Sequence, residues 1–220
     1  MGAAAPGRAH PRETWAAPDN VATMRLGELW LARHGETAWS RAGRHTGRTD
    51  VPLTAEGERQ AVALGERLRG VEFALVLTSP LERARRTAEL AGFDAAMQLD
   101  EDLMEVDYGE YEGRTSAEIR RMRPDWDLWR DGCPGGETIA QAAARAERVL
   151  ARARASDGPV LLIGHGHLTR TFASRALTLA PDHGRHLALD PASLSIVGSE
   201  HAAPALRLWN DASHLLASRR

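Results

Sequence analysis

The chain has 220 residues, of which 43% are hydrophobic and 26% charged, a balance typical of a folded globular protein that excludes a disordered one. Its formal net charge is -2 at pH 7, so we expect no overall electrostatic attraction to nucleic acid or to an anionic membrane. All 28 basic residues are arginine and Cys133 is the single cysteine, which excludes lysine nucleophiles, a P-loop, an intramolecular disulfide and a cysteine zinc cluster.

The N-terminal third of the chain predicts an extension followed by strands and helices in alternation. Residues 1–24 carry three prolines, four charges and no hydrophobic period, which indicates a flexible N-terminal extension before a single domain over residues 25–220. This start lacks the apolar run of a signal peptide, and no run approaches the roughly 18 apolar residues of a membrane span, so we expect a cytoplasmic protein. The following elements are predicted: a strand at 26–32, a helix from the N-cap Thr54 to Gly70, a strand at 73–77, and a helix begun by residues 78–80 that ends near Ala91.

The rest of the chain continues the alternation and contains no internal repeat. Gly and Pro mark a loop at residues 133–136, after two short helices and before a long one. Strands are predicted at 96–99, 160–163, 193–197 and 206–209, and helices at 116–122, 124–130, 138–155 and from the residues after 164 to about 179.

The order of these elements predicts an α/β fold, a three-layer sandwich with a mostly parallel central sheet covered by helices on both faces. Ligands of such folds bind at the carboxyl ends of the strands. Three polar clusters follow strands directly, namely Arg33-His34, residues 79–83 and His165. We therefore expect them to meet at one edge of the sheet.

Residues 31–37 (LARHGET) resemble the signature of the histidine phosphatase superfamily, which includes the cofactor-dependent phosphoglycerate mutases. The resemblance covers about residues 26–200 and implies a phosphoglycerate mutase-like fold. Five further segments support it in order, at 47–54 (GRTDVPLT), 79–83 (SPLER), 105–113 (EVDYGEYEG), 135–137 (GGE) and 164–166 (GHG).

The resemblance implies a phosphoryl-transfer site, and the chemistry of the matching residues agrees with it. A neutral imidazole attacks phosphorus near neutral pH, so His34 is the expected nucleophile that forms a phosphohistidine. Arg33, Arg83 and His165 would stabilise charge on the transferring group. By the family match, Glu105 is the expected general acid that protonates the leaving oxygen and the expected general base that activates water. A dianionic phosphate nearby would favour the protonated form of this carboxyl group.

Several further residues are implied to approach the substrate, which is expected to be a small phosphorylated metabolite. No metal, cofactor, nucleic acid or membrane is expected as a partner. A homodimer is common in the superfamily and is expected here. The implied substrate-binding residues are His45, Thr46, Tyr108, Gly166 and Arg170.

Each candidate has a simpler interpretation. Arg83 could pair with a glutamate on a solvated helix face, the reading we give to Arg85 and Arg86. Glu105 lies in a dense acidic stretch, and only the family register distinguishes it. His165 and His167 could form a metal pair, but no carboxylate lies at ligand spacing beside them. Five residues are interpreted as without a role in chemistry: Cys133 as inert, Trp126 and Trp129 as packing, and the pair His183 and His186 as poor ligands.

The sequence favours a phosphatase over the alternatives in its superfamily. Mutases carry a long insertion after the residue that matches Glu105, whereas 29 residues separate Glu105 from Gly135. They also have Asn after Trp where this chain has Trp39-Ser40. The stretches at 39–47, 125–137 and 165–170 resemble the broad acid phosphatase and sedoheptulose-bisphosphatase-type branch. A phosphoglycerate mutase, a non-catalytic phosphate-binding module and a phosphohistidine-protein phosphatase remain alternatives.

Overall fold

The computed structural model describes residues 28–217, and the extension predicted for residues 1–24 lies outside them, as does the beginning of the first predicted strand. The central sheet has the strand order β3-β2-β4-β1-β5-β6. Strands β1 to β4 are parallel to one another, and β5 pairs antiparallel with β1 and with β6. This confirms the mostly parallel sheet. The strands are β1 (Leu29–Arg33), β2 (Leu75–Thr78), β3 (Met97–Leu99), β4 (Val160–Gly164), β5 (Leu194–Glu200) and β6 (Ala203–Asp211).

Eight helices and three 3-10 turns connect these strands within residues 28–217. Threonine side chains cap the helices α2, α4 and α6 by accepting a backbone N–H from the first turn, as Thr54 was predicted to do. The helices are α1 (Ala38–Arg41), α2 (Ala55–Leu68), α3 (Glu82–Leu90), α4 (Ser116–Met122), α5 (Leu128–Asp131), α6 (Ile139–Arg154), α7 (Gly166–Ala176) and α8 (His214–Ala217); the turns are Glu101–Leu103, Gly109–Tyr111 and Pro181–His186.

The two faces of the sheet are covered by different helices, which confirms the three-layer sandwich. Strand β4 is buried along its whole length and alternates between the two cores. Leu161 and Ile163 pack with residues of α2 and α3. Val160 and Leu162 pack with residues of α6 and α7. A strand that is buried on both faces reads as one continuous apolar run, which is why the sequence marked it so clearly.

Two predicted helix boundaries were wrong. The helix after β2 begins at Glu82, and no side chain of residues 78–80 caps it; instead the backbone N–H of Glu82 donates to the carboxylate of Asp50 at 2.7 Å. The helix predicted for 124–130 is reduced to α5, because the Asp127 side chain caps Trp129 and the indole N–H of Trp126 is bound to the carbonyl of Gly132. The short helices α1 and α8 were not predicted.

A third apolar cluster lies beside the sheet, and all but one of its buried members belong to residues 106–142, which we call the lid segment. Trp126 is buried in it, as predicted, and packs edge to face on Tyr111 at a centroid distance of 5.3 Å. Trp129 is partly buried, packs against this cluster and also contacts Arg170 and His167. The remaining member is Leu168 of α7, so the cluster attaches the lid segment to that helix.

None of the helices between residues 28 and 217 combines the length and the apolar composition that a membrane span requires.

Candidate active site

The adjacent carboxyl ends of β1 and β4 bring the first and last sequence motifs together. Arg33 is in register with Gly164, and the backbone N–H of His34 donates to the Gly164 carbonyl at 2.9 Å. The rings of His34 and His165 lie 5.2 Å apart between centroids. The parallel pairing that the sequence predicted thus places two distant histidines side by side.

His34 is buried and has one ring nitrogen engaged by the backbone. Its Nδ1 lies 2.7 Å from the carbonyl of Gly35, so Nδ1 carries the proton and donates it. Burial, followed by the nearby guanidinium groups of Arg83 and Arg33, lowers the pKa of His34 well below its ordinary value of 6.5. The ring is neutral at pH 7, and the lone pair is on Nε2.

Arg33, the residue before His34, has a buried N–H group without a hydrogen-bond acceptor among residues 28–217. Its Nη1 donates to the carbonyl of Leu189 at 2.5 Å, whereas its buried Nε has no hydrogen-bond partner among the described residues. A buried N–H without an acceptor costs free energy, and native proteins rarely retain one. This orphan donor beside His34 is suited to an anionic ligand.

Glu105 is buried and accepts three backbone hydrogen bonds, two of them at the N-terminus of α7. Its Oε1 accepts from Val106 at 2.9 Å and from Leu168 at 2.8 Å, and its Oε2 accepts from His167 at 3.0 Å. His165, the N-cap residue of α7, makes no side-chain cap, so the carboxylate of Glu105 caps this helix instead. The same contacts fix the carboxylate next to Arg33.

Arg83 and His165 lie completely buried below the site. Arg83 donates through Nε to Nδ1 of His165 at 3.2 Å, and through its other nitrogens to the carbonyls of Thr46, Gly47 and Thr49. His165 then carries its proton on Nε2, which lies 2.8 Å from the hydroxyl of Ser79. The solvated interpretation of Arg83 is wrong, whereas Arg85 and Arg86 do pair with glutamates at the surface.

A cavity of about 240 Å³ opens above His34. This is close to the lower end of the range for ligand pockets, which is roughly 300–1,000 Å³. Arg83 and His165 are not part of its wall. The predicted residues that line it are Arg33, His34, Glu105, His45, Thr46, Tyr108, Gly166 and Arg170.

The sequence pattern of the histidine phosphatase superfamily (branch 1) matches residues 29–212. The chain belongs to this superfamily. The match spans most of the chain and includes all the motifs at the strand ends.

Among curated relatives, this histidine phosphatase is 41% identical to an acid phosphatase of Mycobacterium tuberculosis over 195 residues, which cover 87% of this chain and 96% of the relative. It is 36% identical to the sedoheptulose 1,7-bisphosphatase of Saccharomyces cerevisiae over 178 residues, which cover 66% of this chain and 65% of the relative. It is 32% identical to a probable phosphoglycerate mutase of Salmonella choleraesuis over 203 residues, which cover 86% of this chain and 94% of the relative.

A solved structure gives the same result for the fold. The product of an open reading frame of Mycobacterium tuberculosis superposes on this histidine phosphatase with a TM-score of 0.78 and 40% sequence identity, covering 84% of this chain and 98% of the other. The phosphoglycerate mutase-like fold expected from the motifs is confirmed.

The cavity of this histidine phosphatase also contains residues to which the sequence reasoning gave no role in binding. His167 was considered only as a metal ligand, and its ring in fact forms part of the wall. Its position two residues after His165, at the beginning of a helix, was the available signal. The other additional lining residues are Ser40, Gly43, Arg44, Ser116 and Leu189.

A buried ion pair holds the segment that carries Glu105. Arg145 donates from Nε and Nη2 to the two oxygens of Glu137, both at 2.8 Å, and from Nη1 to the carbonyls of Asp102 and Met104 at 2.7 and 2.9 Å. Glu137 in turn accepts from the backbone N–H of Asp107. The GGE motif at 135–137 therefore supports the backbone on either side of Glu105.

Acid is expected to destabilise the histidine phosphatase fold below pH 6.5. Burial is the first cause that lowers the pKa of His34, His165 and His167 well below 6.5, and that of His45 to about 4. In the unfolded chain these groups titrate near 6.5, so below that pH the unfolded state binds more protons than the folded state. The free energy of unfolding should fall on the order of 1 kcal/mol per histidine per pH unit down to about pH 5.

Urea unfolding at pH 7, 6 and 5 measures this dependence. The variant His45→Gln removes one of the titrating groups and should give a shallower decrease than the wild type. Equal stability at pH 7 and pH 5 would contradict the assignment of neutral buried imidazoles.

Proposed function

We propose that this chain is a phosphatase that hydrolyses phosphomonoesters of small metabolites through a phosphohistidine intermediate. One observation carries the proposal: the hydrogen bond from His34 Nδ1 to the Gly35 carbonyl leaves the Nε2 lone pair free at the bottom of a cavity. The orphan Nε–H of Arg33 and the carboxyl group of Glu105 lie beside it. A nucleophile, an anion-binding donor and an acid-base group thus share one small space.

In the first step His34 Nε2 attacks the phosphorus atom of the ester. The N–P bond forms and the bond from phosphorus to the ester oxygen breaks. Glu105, in its acid form, gives its proton to the departing alkoxide, so the product alcohol leaves neutral. Arg33 stabilises the charge that develops on the transferring oxygens.

In the second step a water molecule attacks the phosphorus atom of the phosphohistidine. The carboxylate of Glu105 takes a proton from this water, the N–P bond breaks, and inorganic phosphate leaves. His34 regains its lone pair on Nε2. Arg83 acts from below by holding His165 and the backbone of residues 46–49 in place.

A small metabolite is the proposed substrate, in the class of sugar phosphates. The support is the small cavity and the lid segment beside it, whose Ser116 forms part of the wall. A phosphoprotein substrate would require an open and shallow pocket, whereas the small volume of this cavity, about 240 Å³, favours a small ligand. The similarity to an acid phosphatase and to a sedoheptulose 1,7-bisphosphatase supports the same class.

The reaction is proposed to need no metal ion. His165 and His167, the pair considered as ligands, have their Nδ1 atoms bound to Arg83 and to Tyr108 respectively. Dialysis against EDTA should leave kcat and KM unchanged, and added Mg²⁺ or Zn²⁺ should not stimulate activity. Loss of activity with EDTA that a metal ion restores would overturn this part of the mechanism.

Gly166→Ala is expected to reduce kcat/KM by at least about tenfold without a loss of stability. A methyl group at this position would lie 3.5 Å from Glu105 Oε2 and 3.6 Å from Arg33 Cζ, which are ordinary contact distances, so the fold tolerates it. The methyl group would, however, occupy reaction space between the two. Steady-state kinetics together with thermal unfolding measure the effect, and Gly198→Ala in β5 serves as the matched control. Wild-type kinetics for Gly166→Ala would contradict the placement.

Phosphate release from a panel of esters tests the proposed function. The panel contains p-nitrophenyl phosphate, 3-phosphoglycerate, fructose 1,6-bisphosphate and sedoheptulose 1,7-bisphosphate, with a coupled mutase assay alongside. Phosphate release without isomerisation is the expected result. Isomerisation of phosphoglycerate without release would establish a mutase, and neither activity would favour a phosphate-binding module.

We also propose a cytoplasmic location, a homodimer, and no binding to nucleic acid or membrane. The near-neutral net charge supports the absence of nucleic-acid and membrane binding, and the buried, unpaired thiol of Cys133, whose pKa burial raises to about 12, supports a cytoplasmic location. The dimer is proposed because homodimers are common in the superfamily. Size-exclusion chromatography with light scattering tests the dimer, and a mass of 24 kDa would contradict it.

A further inference from the structure

His167 and Tyr108 form a hydrogen-bonded pair in the cavity wall to which the proposed chemistry gives no role. The Tyr108 hydroxyl lies 2.6 Å from Nδ1 of His167. The His167 ring is flanked by Trp129 and His45, with centroid distances of 5.5 and 5.9 Å. Its backbone N–H donates to Oε2 of Glu105, so the ring is attached directly beside the carboxylate assigned to the leaving oxygen.

The direction of this hydrogen bond follows from the partners of the hydroxyl. Burial raises the pKa of Tyr108 well above 10 and lowers the pKa of His167 well below 6.5, so both groups are neutral at pH 7. Over the described residues, no second acceptor is found for the hydroxyl proton of Tyr108. Tyr108 therefore donates to Nδ1, and the single ring proton of His167 is on Nε2.

The Nε2–H of His167 is the donor that the pair presents to a ligand. Within residues 28–217 it has no protein acceptor, although the ring forms part of the cavity wall. In the proposed mechanism the free Nε–H of Arg33 meets the charge of the phosphoryl group at the bottom of the cavity. A neutral donor on the side of the leaving oxygen faces the alcohol part of the substrate, where the remaining acceptors are hydroxyl oxygens.

We propose that Tyr108 fixes His167 in the Nε2–H tautomer and that His167 donates this hydrogen bond to a hydroxyl oxygen on the carbon skeleton of the substrate. The inference rests on the proposed phosphatase function and narrows its substrate class to polyhydroxylated phosphate esters. His167 is a binding residue in this proposal, and Tyr108 is a positioning residue that acts through it.

A matched pair of substrates tests the role of His167. Glycerol 3-phosphate and n-propyl phosphate have the same chain length and differ by two hydroxyl groups. The wild type should prefer glycerol 3-phosphate by about three- to tenfold in kcat/KM, the effect of one neutral hydrogen bond. His167→Ala should lower the value for glycerol 3-phosphate more than the value for n-propyl phosphate and so remove the preference, and His167→Gln, which keeps an N–H donor, should retain part of it.

The outcomes separate this proposal from the underlying function. An unchanged preference in a folded His167→Ala protein, or hydrolysis of p-nitrophenyl phosphate with no activity on glycerol 3-phosphate, would overturn the role of His167. No phosphate release by the wild type from any ester, p-nitrophenyl phosphate included, would instead overturn the proposed function.

Nitrogen NMR of the protein labelled with ¹⁵N-histidine tests the role of Tyr108. In the wild type the signal of His167, assigned by its loss in His167→Gln, should show an unprotonated Nδ1 and a protonated Nε2. Tyr108→Phe should shift this signal toward a mixture of tautomers and reduce the preference for glycerol 3-phosphate. Tyr111→Phe, a change in the other buried tyrosine of the same cluster, should alter neither. If His167 has the same tautomer in Tyr108→Phe as in the wild type, Tyr108 does not fix the tautomer and the proposal is contradicted.

Discussion

His34→Ala is expected to lower kcat by at least about 10⁴-fold and to abolish the phosphoenzyme, because the Nε2 lone pair at the bottom of the cavity that makes the proposed attack is removed. The neighbouring groups do not replace it. His165 has both ring nitrogens engaged, Nδ1 by Arg83 and Nε2 by Ser79. His167 lies in the wall with its Nδ1 bound to Tyr108.

Rapid quench in alkaline detergent after mixing with ³²P-labelled substrate measures the intermediate. Phosphohistidine is labile in acid and stable in base, which distinguishes it from a phosphate ester of serine or threonine. The matched control is His183→Ala, a change in an exposed histidine of the 3-10 turn Pro181–His186, which should behave as wild type. Labelled protein or substantial turnover in His34→Ala would show that another group is the nucleophile.

Glu105→Gln is expected to reduce kcat by about 10²- to 10⁴-fold for esters with a poor leaving group, because proton donation to the departing oxygen is lost. Esters of p-nitrophenol need little protonation, so their cleavage to the phosphoenzyme should slow much less.

The rate of ester cleavage is measured in single turnover for wild type and Glu105→Gln with a series of leaving groups. The ratio of the two rates is then compared across the series. The same variant should be less stable by about 1 kcal/mol, because an amide has one acceptor oxygen and cannot reproduce all the backbone hydrogen bonds that cap α7. Urea unfolding separates this loss from the catalytic one. A rate ratio that is independent of the leaving group would exclude Glu105 as the general acid.

Contacts that no local pattern contains show how the two tryptophans pack. Trp126 is a core residue, as its spacing suggested, and Trp129 packs against the same cluster while its ring also stacks on Arg170, with the guanidinium carbon 4.7 Å from the ring centroid. His165 and His167 are two positions apart in sequence, yet one lies below the cavity and the other in its wall. At the start of a helix, residues two positions apart point in different directions.

The sequence by itself determined the order of strands and helices, the mostly parallel sheet, the family, and the strand ends at which polar residues gather. These features depend on short-range signals, such as a continuous apolar run in β4 or the threonine at the start of α2, and neighbours within a few residues decide them. The helix at 116–122 was predicted with its observed boundaries for the same reason.

Only the tertiary structure decided which groups act on one another. Asp50 caps α3 from 32 residues away, and Glu105 caps α7 from about 60 residues away. The burial of Arg83, the free Nε of Arg33 and the proton on Nδ1 of His34 likewise follow from the way the loops close over the sheet. A side chain's protonation state and hydrogen-bond direction depend on the desolvation and partners that packing supplies, and residues far apart in sequence provide both.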